Sequence, residues 1–192
     1  MHSSAVYAAF YKGPMGVYGF LIRLWTMSRY AHVELWFPSG ERCAVYPKTG
    51  VTVYRGDALG HDPSAWDLLE VRSTITARNN IGEFVRKTKG QPYDWRGIIL
   101  SQVLGGRGED KDRWFCSEHV MAALQCANRE GGYTCPVPPV RAPSGVSPGK
   151  LYKLLTYTRA PRYRLSSSYI AYAAAVIVAA VALVLALLIS YP

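Results

Sequence analysis

Hydrophobic positions fall in short blocks through most of the chain and in one unbroken block at its end. Ala5 to Tyr11 reads as a short strand, interrupted by Gly13, Pro14 and Gly16. From Val17 to Met27, Phe20, Leu21, Leu24 and Trp25 recur near helical spacing and predict a short amphipathic helix. Tyr30 to Phe37, YAHVELWF, is rich in β-formers and ends at the turn Pro38-Ser39-Gly40. Arg42 to Tyr46 can pair back as a hairpin, and Val51 to Tyr54 and Asp67 to Arg72 read as further strands. Ile81 to Lys87 is expected to be helical and to close at Gly90-Gln91-Pro92. A hydrophobic segment from Ile98 to Leu104, a polar loop from Gly105 to Asp112 and a helix from Trp114 to Asn128 follow. A Pro/Gly-rich connection then leads to Ser147 and Pro148, an N-cap and N1 pair for a last helix from Lys150 to Tyr157. Strands grouped in the middle with helices on either side predict an α+β domain, and no internal repeat is visible.

The final block is of another kind. Ile170 to Ile189, IAYAAAVIVAAVALVLALLI, has a single Tyr as its polar group, and twenty residues at ~1.5 Å each match the ~30 Å hydrocarbon core of a bilayer. A buried core helix is the alternative, but such helices rarely stay apolar on every side for five turns. Tyr169 and Tyr191 bracket the run as interfacial aromatics do. The composition, 49% hydrophobic with a formal charge of +9, averages over these two regimes. No charged residue follows Arg164, and Arg141, Lys150, Lys153, Arg159, Arg162 and Arg164 follow Glu130 with no acid among them. Basic residues before the apolar run predict that the preceding side is cytosolic, giving a single-pass C-terminal anchor. The N-terminus MHSSAVYAAFYKG lacks the charged region and long apolar stretch of a signal peptide. The apolar fraction and four Cys exclude a disordered chain and a disulfide-dense mini-protein. Cys43, Cys116, Cys126 and Cys135 form no CxxC and have no His at zinc-finger spacing, so free thiols are expected, with no metal and no cofactor.

Candidate chemistry enters at WFCSEHV. A Cys at the start of a helix has its thiolate stabilised by the helix dipole, and the free N–H groups there can receive an oxyanion. His32, within a strand and flanked by apolar residues, is the best placed of the four His to act as base. His2 is terminal, His61 lies in a GHDPS turn, and His119 follows Cys116 on the same helix. Glu34 shares a strand face with His32 and could orient the imidazole, or the pair could be the solvated polar face of an edge strand. Glu118, in the first turn of its helix, is favourable through the dipole and as a cap, with a structural or a substrate-facing role open.

In order, AHVEL, QPYDWRGI and WFCSEHV resemble the circularly permuted branch of the papain-like NlpC-type superfamily, in which the His-bearing strand precedes the Cys-bearing helix. The chain is also similar to the lecithin:retinol acyltransferase group, whose small members end in one C-terminal membrane helix; viral and bacterial relatives of the YiiX-like kind carry a similar motif order. The resemblance covers Ala5 to Tyr157. It implies a permuted papain-like domain, with a small antiparallel sheet packed on helices, over residues 1–158. A basic linker would occupy 159–168 and a transmembrane anchor 169–191. It implies Cys116 as nucleophile, His32 as general base and Glu34 as third member. Tyr93, Asp94 and Trp95 match a family motif, with packing and turn formation as their other reading, and Trp114 and Phe115 read as core anchors. The acyltransferase group often carries a second His about a dozen residues after the first, where this chain has Arg42, Cys43 and Ala44.

The function so implied is a membrane-anchored cysteine hydrolase of peptidase or amidase type. The alternatives are a phospholipase or lipid acyltransferase, and an inactive membrane-tethered viral or virion interaction protein. Expected partners are the bilayer, anionic lipid headgroups near Arg159, Arg162 and Arg164, and a peptide, amide or lipid ester substrate. Nucleic acid is not expected, and GGRGEDKD lacks the phosphate-cradling P-loop pattern.

Overall fold

A computed structural model describes residues 5–56, 62–71, 73–98, 110, 112–129 and 143–156, all within the unit Met1–Tyr157. The fold is α+β. In chain order it runs β1 (Val6–Tyr11), α1 (Gly16–Thr26), β2 (His32–Trp36), β3 (Glu41–Tyr46), β4 (Gly50–Arg55), β5 (Trp66–Val71), α2 (Ile75–Thr88), α3 (Trp95–Ile98), α4 (Cys116–Arg129) and α5 (Pro148–Thr156). The five strands form one sheet in the order β4-β3-β2-β1-β5, each pairing antiparallel. The anchor segment 169–191, the linker with Arg159, Arg162 and Arg164, His61 and Cys135 lie outside the described residues. Among the described residues, no helix is long and apolar enough to cross a membrane.

The period of two in each strand sends one set of side chains into the core. Val6, Ala8 and Phe10 of β1, Val33 and Leu35 of β2, Cys43 and Val45 of β3 and Val51 of β4 are buried together. The helices meet them with residues at helical spacing: Ala77, Ile81 and Val85 from α2, and Val120, Met121, Ala123, Leu124 and Ala127 from α4. The alternate strand positions make a second, smaller cluster in which Ala9, Tyr11, Ala65 and Trp66 pack with Met15 and Trp36. β2 is thus a central strand, bonded to β1 and β3, and the reading of its polar face as a solvated sheet edge is wrong.

The strands fall where the β-former runs and turn residues put them, to within two residues. α2 begins six residues before Ile81, because Thr74 caps it by accepting from the Ala77 N–H at 3.1 Å and Ala77 faces the core. Ser147 caps α5 as expected, accepting from Lys150 N–H at 3.3 Å. α1 forms over the expected span, but only Gly19 of it is buried, so its apolar residues do not fill the core.

The turn into β4 also joins the sheet to the later half of the chain. Val51 N–H donates to Gln91 O at 2.9 Å, and Gly90 N–H donates to Val51 O at 2.8 Å. Gly50 sits at this junction with φ +65°, and a Cβ there would run into the Gln91 carbonyl. Gly56 also has positive φ but open space around it. Gly50→Ala is therefore expected to cost about 3 kcal/mol and Gly56→Ala about 1 kcal/mol. Urea denaturation of the two variants checks this; equal losses would mean that the Gln91 contact is not tight.

Candidate active site

Glu34 lies on a strand at the middle of the sheet and is fully buried. A carboxylate there is tolerable only if its oxygens are hydrogen-bonded. Tyr46 OH donates to Oε1 at 2.8 Å, Tyr54 OH to Oε2 at 2.7 Å and Trp36 Nε1 to Oε2 at 3.0 Å. The fourth partner is His32, whose Nε2 stands 3.3 Å from Oε1. Burial works against the charge on Glu34, but His32, then Trp36 and Tyr54, outweigh it and hold the carboxyl below its ordinary range.

These donors reach Glu34 through strand geometry. His32, Glu34 and Trp36 alternate along one face of β2. Trp36 stands opposite Arg42, and Arg42 opposite Tyr54, so the same face continues across β3 and β4. Arg42 lies over the Trp36 ring at 3.7 Å, and the Tyr46 ring stacks on His32 at 5.3 Å between centroids. The residues leading into His32 are fixed as well: Ala31 N–H donates to Tyr11 O at 3.0 Å, and Tyr30 OH donates to Asp67 at 2.5 Å.

Cys116 comes to His32 from the other half of the chain. It is the first residue of α4 and lies close enough to His32 to act on the charge of its imidazole. Burial opposes a charge on the imidazole, yet the hydrogen bond and charge of Cys116, followed by those of Glu34, raise the His32 pKa from 6.5 to about 10. The expected trio of Cys116, His32 and Glu34 is thus brought together.

The other candidate residues hold Cys116 in place. Trp114 N–H donates to Pro92 O at 3.1 Å, Asp94 N–H to Trp114 O at 3.0 Å, and Trp114 Nε1 to Gln91 at 2.5 Å. The QPYDW and WFC segments are in this way laced to each other and, through Gln91, to β4. Asp94 Oδ1 accepts from Gly97 N–H at 2.7 Å and starts α3. Tyr93 is buried beside Cys116 and Asp94; burial and then their charges push its phenol up. Glu118 Oε2 accepts from Phe115 N–H at 3.4 Å, the reciprocal half of a capping box, which gives it a place in the start of the helix. His119 is buried against Phe84 and Trp114, bonded to Thr88 Oγ1 at 2.8 Å, and burial lowers its pKa to about 3.

Of the other thiols, Cys43 is buried in the core and pushed up to about 12, by burial and then by Glu34, while Cys126 is part-exposed on α4; neither is in a disulfide. Among the described residues no group of three or more His, Cys, Asp or Glu is placed to hold a metal ion. Trp36, Tyr46 and Tyr54 were not singled out from the sequence. Trp36 follows from the same i, i+2 rule that pairs His32 with Glu34. The two tyrosines needed the register of the β3–β4 hairpin.

A thiol against an imidazole that is itself held by a carboxylate can pass a proton from sulfur to nitrogen and keep the resulting cation in place. Comparison with protein-family models and with curated proteins gives no match.

Two outcomes are expected. Tyr54→Phe leaves a buried carboxylate oxygen short of a donor and should cost about 1–3 kcal/mol in denaturant unfolding. The folded-state pKa of His32 lies above its ordinary 6.5, at about 10. Its contribution to stability is therefore complete below pH 6.5 and is lost as pH rises through about 10. Unfolding midpoints followed across that range should decline more steeply for the wild type than for His32→Gln; parallel profiles would contradict the pairing.

Proposed function

We propose that this protein is a papain-like cysteine hydrolase of the permuted NlpC type, working by acyl transfer at a membrane to which residues 169–191 anchor it. The observation that carries the reading is a His32 imidazole held at 3.3 Å by a buried Glu34, with Cys116 at the first position of α4 near enough to act on its charge. The order of parts, a His strand before a Cys helix on an α+β scaffold, supports the permuted form of the fold.

The chemistry follows from the geometry. His32 takes the thiol proton, and the Cys116 sulfur attacks a carbonyl carbon. The charge that develops on the carbonyl oxygen is met by the positive end of α4, whose first N–H groups have no acceptor within the helix. His32 returns the proton to the leaving amine as the thioester forms, then takes one from water, which attacks the thioester and frees Cys116. Glu34 stays ionised throughout and stabilises the imidazolium of each half-reaction. An amide substrate makes this a peptidase or amidase. A lipid ester is the second reading, favoured by the half-exposed Trp95 ring packed on Tyr93, whereas Arg42, Cys43 and Ala44 stand where the lecithin:retinol acyltransferase group often has its second His. In this reading residues 1–158 face the cytosol, and Arg159, Arg162 and Arg164 of the linker 159–168 meet anionic headgroups.

Iodoacetamide near neutral pH is expected to modify Cys116 ahead of Cys43, Cys126 and Cys135. Cys116 is only 7% exposed and Cys126 is part-exposed, so access alone would favour Cys126. His32→Ala should slow that modification about tenfold. The full chain in lipid vesicles should hydrolyse peptide-amide or phospholipid probes, and Cys116→Ser should abolish the turnover. Equal labelling of all four thiols, with no turnover that depends on Cys116, would leave the non-enzymatic alternative standing.

A further inference from the structure

α1 is amphipathic in the reverse of the usual sense. Val17, Phe20, Leu24 and Met27, spaced i, i+3, i+7 and i+10, share one face, and that face points outward: Val17 is 72% exposed, Phe20 62% and Met27 68%. Tyr18 flanks them, and its ring meets Trp95, itself 49% exposed, at 6.5 Å. Met27 holds the left-handed position that closes the helix, at φ 46°, where Gly or Asn would sit at lower cost. An apolar patch of this kind on a domain marks a contact surface.

The geometry points to a bilayer surface as the occupant: α1 and Trp95 form a second, peripheral membrane contact on the folded domain. Three observations favour lipid. First, the local charge is positive: Lys12 and Arg29 share the one carboxylate of Asp67, and Arg23 and Arg96 add to the remaining positive charge, which favours an anionic interface. Second, α5, the last described element, packs against the segment that follows α1. Gly149 of α5 packs so closely on Ser28, the residue after Met27, that a Cβ would collide with its side chain, and Tyr152 stacks near Tyr30 at 4.5 Å. Third, only residues 157–169 separate α5 from the apolar run at Ile170, a reach of about 45 Å fully extended. This third point rests on the proposed anchor; the first two do not.

The face also borders the site. Gly19, on the inner side of α1, lies against Ala31, the neighbour of His32, and Trp95 packs on Tyr93, which adjoins Cys116. A domain seated on α1 and Trp95 would hold the approach to Cys116 at the lipid–water boundary.

The test uses the full chain in vesicles of phosphatidylcholine and phosphatidylserine with brominated acyl chains, which quench tryptophan fluorescence on contact. Quenching is expected, with Trp95→Phe removing most of it. Phe20→Glu, a change at an exposed position, should have the same effect with the near-UV circular dichroism unchanged. Quenching that is equal in the wild type and Trp95→Phe overturns the proposal. So does shielding of Trp95 from aqueous acrylamide that rises with the protein-to-lipid ratio, because the face would then be a contact between copies of this chain. Carbonate extraction reads the anchor separately. A chain that washes off has no anchor, and the quenching measured on vesicles to which it is added still decides the α1 contact.

Discussion

A carboxylate with no access to water is the constraint around which the sheet is organised. Left unpaired, Glu34 would cost several kcal/mol and would be protonated. It is instead met by Trp36 and His32 from its own strand, Tyr46 from β3 and Tyr54 from β4. Each donor fixes a rotamer as well as a charge, so the side chains of three strands are locked to one another on the face away from the main core. The Arg42 guanidinium over Trp36 adds to the same lock. His32 is held at its edge by a hydrogen bond to Glu34 on one side and by the stacked Tyr46 ring on another. The imidazole is thereby preorganised by the sheet rather than by the loop that precedes it.

The thiol reaches that imidazole by a different route. α4 carries a core stripe of Val120, Met121, Leu124 and Ala127 that seats it against α2 and the sheet, which sets the direction of the helix. Its first residue is then fixed by the short ladder of Gln91, Pro92, Asp94 and Trp114, which runs from the β4 edge to the residue two before Cys116. Glu118 completes the helix start by binding the Phe115 N–H. Both halves of the pair therefore hang from the same sheet, His32 from its centre and Cys116 from its edge. A slip in register between β3 and β4 would disturb both, through Tyr46 and Tyr54 on one side and Val51 on the other.

Much of this was legible in the sequence where a short-range rule applied. β-Formers and turn residues located all five strands, and alternation put His32 and Glu34 on one face, with Val33 and Leu35 opposite. Ser147-Pro148 marked the start of α5. Rules of that range could not reach further. Tyr46 and Tyr54 join the site only through cross-strand pairing, and a sequence states no register. The early start of α2 depended on Thr74 and on a small Ala77 facing the core, neither of which makes a hydrophobic period. The spacing of Phe20, Leu21, Leu24 and Trp25 marked a helix but not which way its apolar residues face, since periodicity is the same whether a stripe meets a core or a lipid surface. The QPYDW segment matched a motif, yet its work is backbone bonding to Trp114, which residue identity alone does not disclose.

The two buried histidines show why burial by itself says nothing of chemical role. His32 and His119 are 2% and 1% exposed. For His119 only burial acts, beside a neutral Thr88 hydroxyl, and the ring is held neutral with its pKa lowered to about 3. For His32 the same penalty is overcome by the Cys116 sulfur and the Glu34 carboxylate, and the pKa rises to about 10. His119 sits three residues from Cys116 in the sequence, yet its ring packs on Phe84 and Trp114 and has no acid to hold a cation. His32 is distant in the sequence and has both partners a proton carrier needs: a group to take the proton from and a fixed negative charge to balance it afterwards. Protonating Glu34 would turn one of its oxygens from acceptor to donor and weaken the bonds that join three strands, so the stability of the sheet and the charge state of His32 depend on one side chain.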